Sequence, residues 1–490
     1  MRRALLVAAA LAGAACSFAP AYKRPDAGTP QQFRFAKAEE TSSIADLPWW
    51  QLFKDPALQG LIREALSANQ DLALATARVD EARAMVGVAK ADLYPQIAAG
   101  LNGSYGQPLS DKVLSGATNA GPSANKAQPF YSASLSAAWE LDLWGRVRNA
   151  RDAAFADLLA TEDGRHAVVL SLVAGVAQAY IELRALDLQL EIARSNNEIR
   201  QGTLELFENR ARGGIASDLE VDQARADLAE TTATISQTEQ LIWVKEHELC
   251  VLLGRAPGPV PRGVALVDTP LVPALPPGVP AQLLERRPDV LAAEQGVVAA
   301  GKRVGVAIAN RLPSLSLTGF IGLEARTVPD LFSSDAFAWY GSGGLLAPIF
   351  QGGRLASAEE ASKAVLVESI ASYRKAVEVA LRDVADASAG VIKLREVRAA
   401  LEVQVKATEE ASKLALARYQ GGVSSYLEVL DAQRRQFAAQ LSHANAIRDQ
   451  LTAVVQLYRA LGGGWREVEP MAAMPAGAGG GPQAAPPQVQ

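Results

Sequence analysis

Two periods of apolar residues run along the chain and divide it. From Gly145-Arg146 to about Arg212, Val169, Leu172, Val176, Tyr180, Leu183, Leu186 and Leu190 step by three or four, the spacing of a helix that packs along a coiled-coil-like stripe. A helix of this length reaches about 100 Å. A second helical pattern, Asp218 to Leu253, returns for about 54 Å. Between Gln96 and Tyr105, and from Tyr131 to Leu143, the period is two. Tyr131, Ala133, Leu135, Ala137, Trp139, Leu141 and Leu143 alternate with Ser132, Ser134, Ser136, Ala138, Glu140 and Asp142, which predicts a strand with one apolar and one polar face. A short helix over Ala57 to Ser67 and one of about 24 residues from Asp71 to just before Pro95 precede the strands.

The same plan occurs twice. Arg212 to Gln223, RGGIASDLEVDQ, and the stretch around Gly421, RYQGGVSSYLEVLDAQRR, share their signal at an offset of 208: Gly213 with Gly421, Leu219 with Leu427, Glu220 with Glu428, Val221 with Val429. Each reads as the tip of a helical hairpin, with glycine ending one helix and serine capping the next. Gly145-Arg146 matches Gly353-Arg354, and Leu253-Gly254 matches Leu461-Gly462, also at 208. Upstream of the strands the offset is 218: Asp71 with Asp289, Val86-Gly87-Val88 with Val304-Gly305-Val306, Pro95 with Pro313. The loop between the first two strands is therefore ten residues longer, and the chain is an internal duplication. Second-copy strands are expected at Ser314 to Gly322, with Leu315, Leu317 and Ile321 on one face, and at about Phe337 to Ala347.

Residues 1–15, a basic start followed by small apolar residues, read as a secretory leader. Two readings fit Cys16 behind it: an acylated lipoprotein cysteine, or an unmodified residue beyond an ordinary cleavage at Ala14. Residues 16–56 read as a Pro-rich arm, lipid-anchored on the first of these readings, in which Trp49-Trp50 pack against the body or, alternatively, stack on a ligand. The first repeat occupies 57–254 with its β-hairpin in 96–143, a Pro-rich linker 255–280, and the second repeat 281–465 with its β-hairpin in 314–347. An Ala-, Gly- and Pro-rich tail over 466–490 is expected to be disordered.

Composition removes several function classes. The chain has 490 residues, a net charge of -5, two cysteines and three histidines. Nothing in that balance points to nucleic acid. His166, His247 and His443 lie far apart, and Cys16 and Cys250 form no CxxC, so no metal or cofactor is expected; Cys250 reads as a buried thiol. No phosphate loop or nucleophile elbow occurs, and no enzyme is expected. No helix-length apolar run follows the leader, which says nothing about a membrane barrel, whose strands are short and alternating. Four strands cannot close such a barrel, and open edges cannot face lipid. Strands that span a membrane here must come from several copies sharing one barrel.

The chain resembles the outer membrane factor family, the TolC-like channels, and within it the lipoprotein subgroup of tripartite efflux pumps. The resemblance is carried by Tyr22-Lys23-Arg24-Pro25, Trp49-Trp50 with Phe53 and Asp55-Pro56, WELDLWGR at Trp139 to Arg146, and LLERRPDV at Leu283 to Val290. It continues in PIFQGGR at Pro348 to Arg354, the Arg418 to Arg435 tip and LGGGW at Leu461 to Trp465. It implies a mainly α homotrimer with membrane β structure, whose helical hairpins form a trans-periplasmic α-barrel and whose four strands per protomer give a 12-stranded outer-membrane β-barrel. A periplasmic adaptor (membrane fusion protein) and an inner-membrane transporter, RND type, are the implied partners of a passive duct for small molecules such as drugs. It also implies acylation of Cys16, palmitate included, and an outer-membrane location extending into the periplasm. One departure is Gly13, where a lipoprotein leader has Leu or Val.

The same resemblance places roles at the tips. Glu428 and Asp431, at i and i+3 on one helix face, match the acidic pore constriction, with Glu428 in place of an Asp. Their plain reading is a solvated helix face. In a trimer six carboxylates would ring the pore, where like charges about 6 Å apart repel by roughly 3 kcal/mol at an effective dielectric near 20. Tyr419 matches a tyrosine that holds the tips closed; Ser424 stands where relatives can carry a basic partner. Gly213, Gly214, Gly421 and Gly422 mark the hairpin tips at which the adaptor docks. Trp139, Trp144 and Trp339 suit either an interfacial girdle or simple packing. Other readings are the outer-membrane component of a type I protein secretion system and, in a different class, a soluble periplasmic coiled-coil adaptor, which the alternating strands disfavour.

Overall fold

The computed structural model describes residues 17–30, 47–106, 127–269 and 280–465. The leader, Cys16, much of the arm, part of the linker and the tail lie outside them. Among the described residues there are nine α-helices and four strands: α1 (Trp49–Leu52), α2 (Pro56–Ala68), α3 (Gln70–Ala91), β1 (Gln96–Gly106), β2 (Gln128–Leu141), α4 (Arg146–Arg212), α5 (Asp218–Leu252), α6 (Pro280–Arg286), α7 (Pro288–Ala309), β3 (Ser314–Ala325), β4 (Phe337–Leu346), α8 (Arg354–Gln420) and α9 (Tyr426–Ala460). The duplication is visible in the lengths. α3 and α7 have 22 residues each, α4 and α8 have 67, and α5 and α9 have 35.

The residues form two compact units. The first contains the sheet, the helix segments adjoining it in sequence, and the N-terminal strap that follows Cys16. The sheet has the order β1-β2-β3-β4, antiparallel throughout. Its middle pair, β2 with β3, joins the two copies. β2 stops at Leu141, short of the Leu143 that the alternation suggests. The cause is Asp142, whose carboxylate accepts from the Val147 and Arg148 amides at 3.1 and 2.9 Å and so caps α4. β3 continues past Gly322 to Ala325, where Leu323 pairs with Ala133 and Phe337, and Ala325 with Tyr131; Gly322 itself sits tight against β2, and a Cβ there would lie 2.3 Å from the Ala133 carbonyl oxygen.

The strap lies on α7 and α4 in this unit. Ser17 donates to Asn149 at 3.0 Å, and Phe18 meets Trp144 at 6.3 Å between ring centroids. Glu294, almost wholly buried, accepts from Tyr22 at 2.5 Å and from Arg24 through two bonds of 2.9 and 3.0 Å. Burial first, then Glu294, raises the Tyr22 pKa far above its usual value. Ala19 fills the space above Gly305, where a Cβ would come within 2.8 Å of it.

The second unit holds the main hydrophobic core, built from α1, α2, α4, α5, α8 and α9 with the described part of the linker. Trp49 is fully buried there, edge-on to Trp50 at 5.4 Å. Asp55 caps α2 through the Ala57 amide at 2.8 Å and accepts from Tyr180 (2.8 Å) and the Val264 amide (3.1 Å), so the arm and the linker meet at one carboxylate. Arg287, in the LLERRPDV motif, pairs with Asp289 at 2.6 Å and with Asp383 at 3.2 Å, and donates to the Ala460 carbonyl. His166 stacks on Trp465 at 4.4 Å, a packing role. Cys250 is buried, as its sequence context suggests. α4 contains one window apolar enough to cross a membrane, but most of it packs into the core.

Candidate functional site

Two places are the candidates for function: the faces of the sheet and the tips of the hairpins. The register decides the sheet. Ile97 pairs with Ala137, Leu101 with Ala133, Leu135 with Ile321, Trp139 with Leu317, Ile321 with Trp339 and Leu323 with Phe337. Cross-strand partners share a face, so these residues make one continuous apolar face over all four strands. It is exposed: Leu101 is 84% accessible and Trp339 73%. The opposite face carries Asn102, Ser132, Ser134, Ser136, Ser316 and Thr318. An apolar outer face opposite a polar inner one, over strands of 10–14 residues, is the pattern of a membrane barrel wall. The tryptophans divide. Trp339 projects from the apolar face. Trp139 lies on it and donates to the Leu93 carbonyl at 3.1 Å. Trp144 is off the strands and donates to the Pro313 carbonyl at 2.6 Å, which is packing.

The two tips share one backbone design. Gly214 has φ +74° and Gly422 φ +73°, so the second glycine of each pair takes the left-handed turn. The Ile215 amide donates to the Arg210 carbonyl and the Val423 amide to the Arg418 carbonyl, both at 2.9 Å, closing each helix in a Schellman-type turn. Ser217 forms a full capping box with Glu220, whereas Ser425 makes no side-chain cap bond and Ser424 Oγ is buried without a partner. Ile215, Leu219, Val423 and Leu427 project into solvent at matching positions of the two tips.

Behind the turns, Phe207, Val221, Ala224, Ala415, Tyr426, Val429 and Leu430 form a small core that joins the tips of the two copies. Phe207 and Tyr426 meet at 4.3 Å between centroids. Burial, then the nearby Asp227 charge, pushes the Tyr426 pKa up to about 12. Tyr419 accepts from Arg210 of the first copy at 2.8 Å, with the guanidinium 5.6 Å over its ring. The tyrosine singled out in the sequence thus has a basic partner from the other hairpin, while Ser424 supplies none.

Glu428 and Asp431 are both exposed on α9, and each has an arginine: Arg418 to Glu428 at 3.1 Å and Arg435 to Asp431 at 2.9 Å. The acidic pair is therefore partly neutralised within its own hairpin. Sequence reasoning missed these arginines, although the i,i+4 spacing of Asp431 and Arg435 was a readable signal. It also missed Asp227, buried between α5 and α9. Arg434 donates to it at 3.0 and 2.8 Å, and Arg200 donates to its backbone carbonyl at 2.8 Å. No local pattern marks a pair whose members stand 207 residues apart.

The sequence profile described as outer membrane efflux protein matches residues 61–255 and again 279–463. The chain belongs to the outer membrane efflux protein family. The pyoverdine export outer membrane protein OpmQ of Pseudomonas putida is 35% identical to it, over 90% of this chain and 93% of that one. The toluene efflux pump outer membrane protein TtgF of the same species is 35% identical over 95% and 97%. The open-state structure of the MtrE outer membrane channel of Neisseria gonorrhoeae superposes with a TM-score of 0.82 at 30% identity, covering 92% of this chain and 99% of that one. The efflux protein is accordingly an outer-membrane channel of a tripartite efflux system. Its hairpins belong to an α-barrel, and its strands to an outer-membrane β-barrel.

Proposed function

We propose that three copies of the chain form one passive duct for small organic molecules, with twelve strands in the outer membrane and the hairpins lining the periplasmic conduit. The observation that carries this is the apolar face of the sheet together with its two edges. Among the described residues β1 and β4 each have one neighbour, and an unpaired edge is untenable in lipid. Sharing a barrel among copies satisfies both edges.

In this reading Cys16 is acylated and the strap fixes the distance from the lipid to the barrel wall. Glu428 and Asp431 ring the periplasmic end of the pore, with Arg418 and Arg435 tempering their charge. Tyr419, held by Arg210, keeps the tips closed. The turns at Gly213, Gly214, Gly421 and Gly422 receive a periplasmic adaptor, and the exposed Ile215, Leu219, Val423 and Leu427 give it apolar ground. An inner-membrane transporter of the RND type supplies the energy. The chain itself carries no motif for doing so. Export of pyoverdine and efflux of toluene, named for relatives, point to organic cargo.

The test is the native mass of protein extracted in detergent from purified outer membrane, paired with complementation of solvent tolerance in a strain lacking its own channel. A particle of three protomers that restores tolerance is the expected result. A monomer in the soluble periplasmic fraction would overturn it.

A further inference from the structure

The two copies treat one arginine differently. Arg146 and Arg354 are counterparts at an offset of 208, each the first residue of a long helix. Arg146 is compensated. Glu140 accepts two of its hydrogen bonds, at 2.8 and 2.7 Å, and the charges of Asp142 and Asp92 act on it too. Asp142 also holds Arg148 at 3.1 Å. In the second copy each of these acids is gone. By the offset of 208, Glu140 becomes Pro348, Asp142 becomes Phe350 and Arg148 becomes Ala356; by the offset of 218, Asp92 becomes Asn310. A group of three carboxylates and two arginines is thus reduced to a single arginine. Among the described residues the Arg354 side chain has one partner, the Gln351 side chain, and no carboxylate. The first acid along α8, Glu359, is already held by Arg311 and Lys363.

Arg354 borders two cavities. One, of about 560 Å³, is shared with Glu140, Asp142, Trp144, Arg146, Asn310 and Ser314. Its two acids are each taken by an arginine, Glu140 by Arg146 and Asp142 by Arg148. The other, of about 440 Å³, lies between α4, α7 and α8, and its remaining charges, Arg303 and Asp157, are paired at 2.5 Å. Arg354 is therefore the one lining charge of both cavities left without a counter-charge. A guanidinium so placed presents a planar fork of donors that matches the oxygens of a carboxylate or phosphate.

We propose that Arg354 anchors an anion subsite that takes the carboxylate, phosphate or sulfonate group of a solute, with the Asn310 amide, which borders the same two cavities, as a second polar contact. The strand ends place it. Glu140 pairs with Ser316 and Ser314 with Leu346, so the side chains that the sheet gives to the larger cavity stand on its polar face. In the duct proposed above that face is turned to the bore, and the ligand is then an anionic group in transit; this step rests on that reading.

Trp144 lines the larger cavity and reports on it. Trimers in a neutral detergent without added lipid are titrated with iodide, an anionic quencher of tryptophan fluorescence, and with acrylamide, a neutral one. Each protein is paired with its Trp144→Phe form, and the quenching lost in that form is the Trp144 part. Arg354→Gln is expected to lower the iodide part roughly twofold, the effect of one unit charge about 8 Å away in water, and to leave the acrylamide part unchanged. Inorganic phosphate should relieve the iodide quenching in the parent and not in Arg354→Gln. Asn310→Asp restores the carboxylate of the first copy beside an intact arginine and should lower the iodide part likewise, whereas Arg354→Lys should keep it. An iodide part equal in the parent, Arg354→Gln and Asn310→Asp overturns the subsite. So does an Arg354→Gln trimer that separates at a lower temperature with its quenching unchanged, because the arginine then serves a neighbouring chain. Relief by phosphatidylglycerol micelles but not by inorganic phosphate would make the ligand a lipid headgroup and overturn the assignment to a solute. A native trimer without Arg354-dependent quenching leaves the duct standing; a soluble monomer overturns the duct.

Discussion

Arg434 on α9 donates two hydrogen bonds to one oxygen of Asp227 on α5, at 3.0 and 2.8 Å, and so ties the second hairpin to the first. Asp227 is 1% accessible, and its other oxygen has no partner. The arginine is half exposed, so the pair is asymmetric: loss of Arg434 strands a buried charge, whereas loss of Asp227 returns a cation to water. Arg434→Leu is expected to cost about 3 kcal/mol. The double variant with Asp227→Leu should be closer to the parent than Arg434→Leu alone. Thermal unfolding of the three variants in a double-mutant cycle measures the coupling.

The neighbouring tyrosine gives a pH dependence. Tyr426 ionises near 12 in the fold, raised by burial and then by Asp227, against about 10 in an unfolded chain. The unfolded state loses its proton first as pH rises. The contribution of Tyr426 is therefore complete below pH 10 and is lost as pH climbs through about 12. Protease sensitivity of the tips, followed from pH 9 to 12, should rise across that window, and Tyr426→Phe should remove the part due to this phenol.

Charge at the tips can be tested in both directions. Glu428→Gln with Asp431→Asn is expected to reduce cation preference in planar-bilayer recordings. Arg418→Gln with Arg435→Gln should increase it, since each arginine sits within 3.1 Å of one of those carboxylates. Unchanged selectivity in both double variants would remove these residues from the pore.

Gly322 tests the joint between the two halves of the sheet. A methyl group there would lie 2.3 Å from the Ala133 carbonyl oxygen and 2.7 Å from Ser134 Cα, both backbone atoms of β2. Gly322→Ala should therefore disturb the β2–β3 pair and lower the yield of heat-resistant barrel in outer membranes. Gly341→Ala, on the neighbouring strand with open space above it, should leave that yield near the parent level.

Glu294 holds the strap. Glu294→Ala leaves Tyr22 and Arg24 without the carboxylate that receives three of their hydrogen bonds. Trypsin should then cut after Lys23 much faster than in the parent, with the helical circular dichroism unchanged.

The helices, the strands, the duplication and the tip turns were legible in the sequence because each rests on local physics. A stripe every three or four residues or an alternation of two selects helix or strand, and a Gly-Gly pair followed by serine ends one helix and starts another. The resemblance to outer membrane channels followed from the same local stretches. The tertiary structure decided what these elements share: that β2 lies beside β3, that Tyr419 takes its partner from Arg210, that Glu428 and Asp431 are each paired, and that Glu294 grips the strap 270 residues before it. Burial of a charge and the choice of its partner leave no period along a chain. They are set by which surfaces the fold brings together, and for Asp227 and Arg434 those surfaces belong to different copies of the repeat.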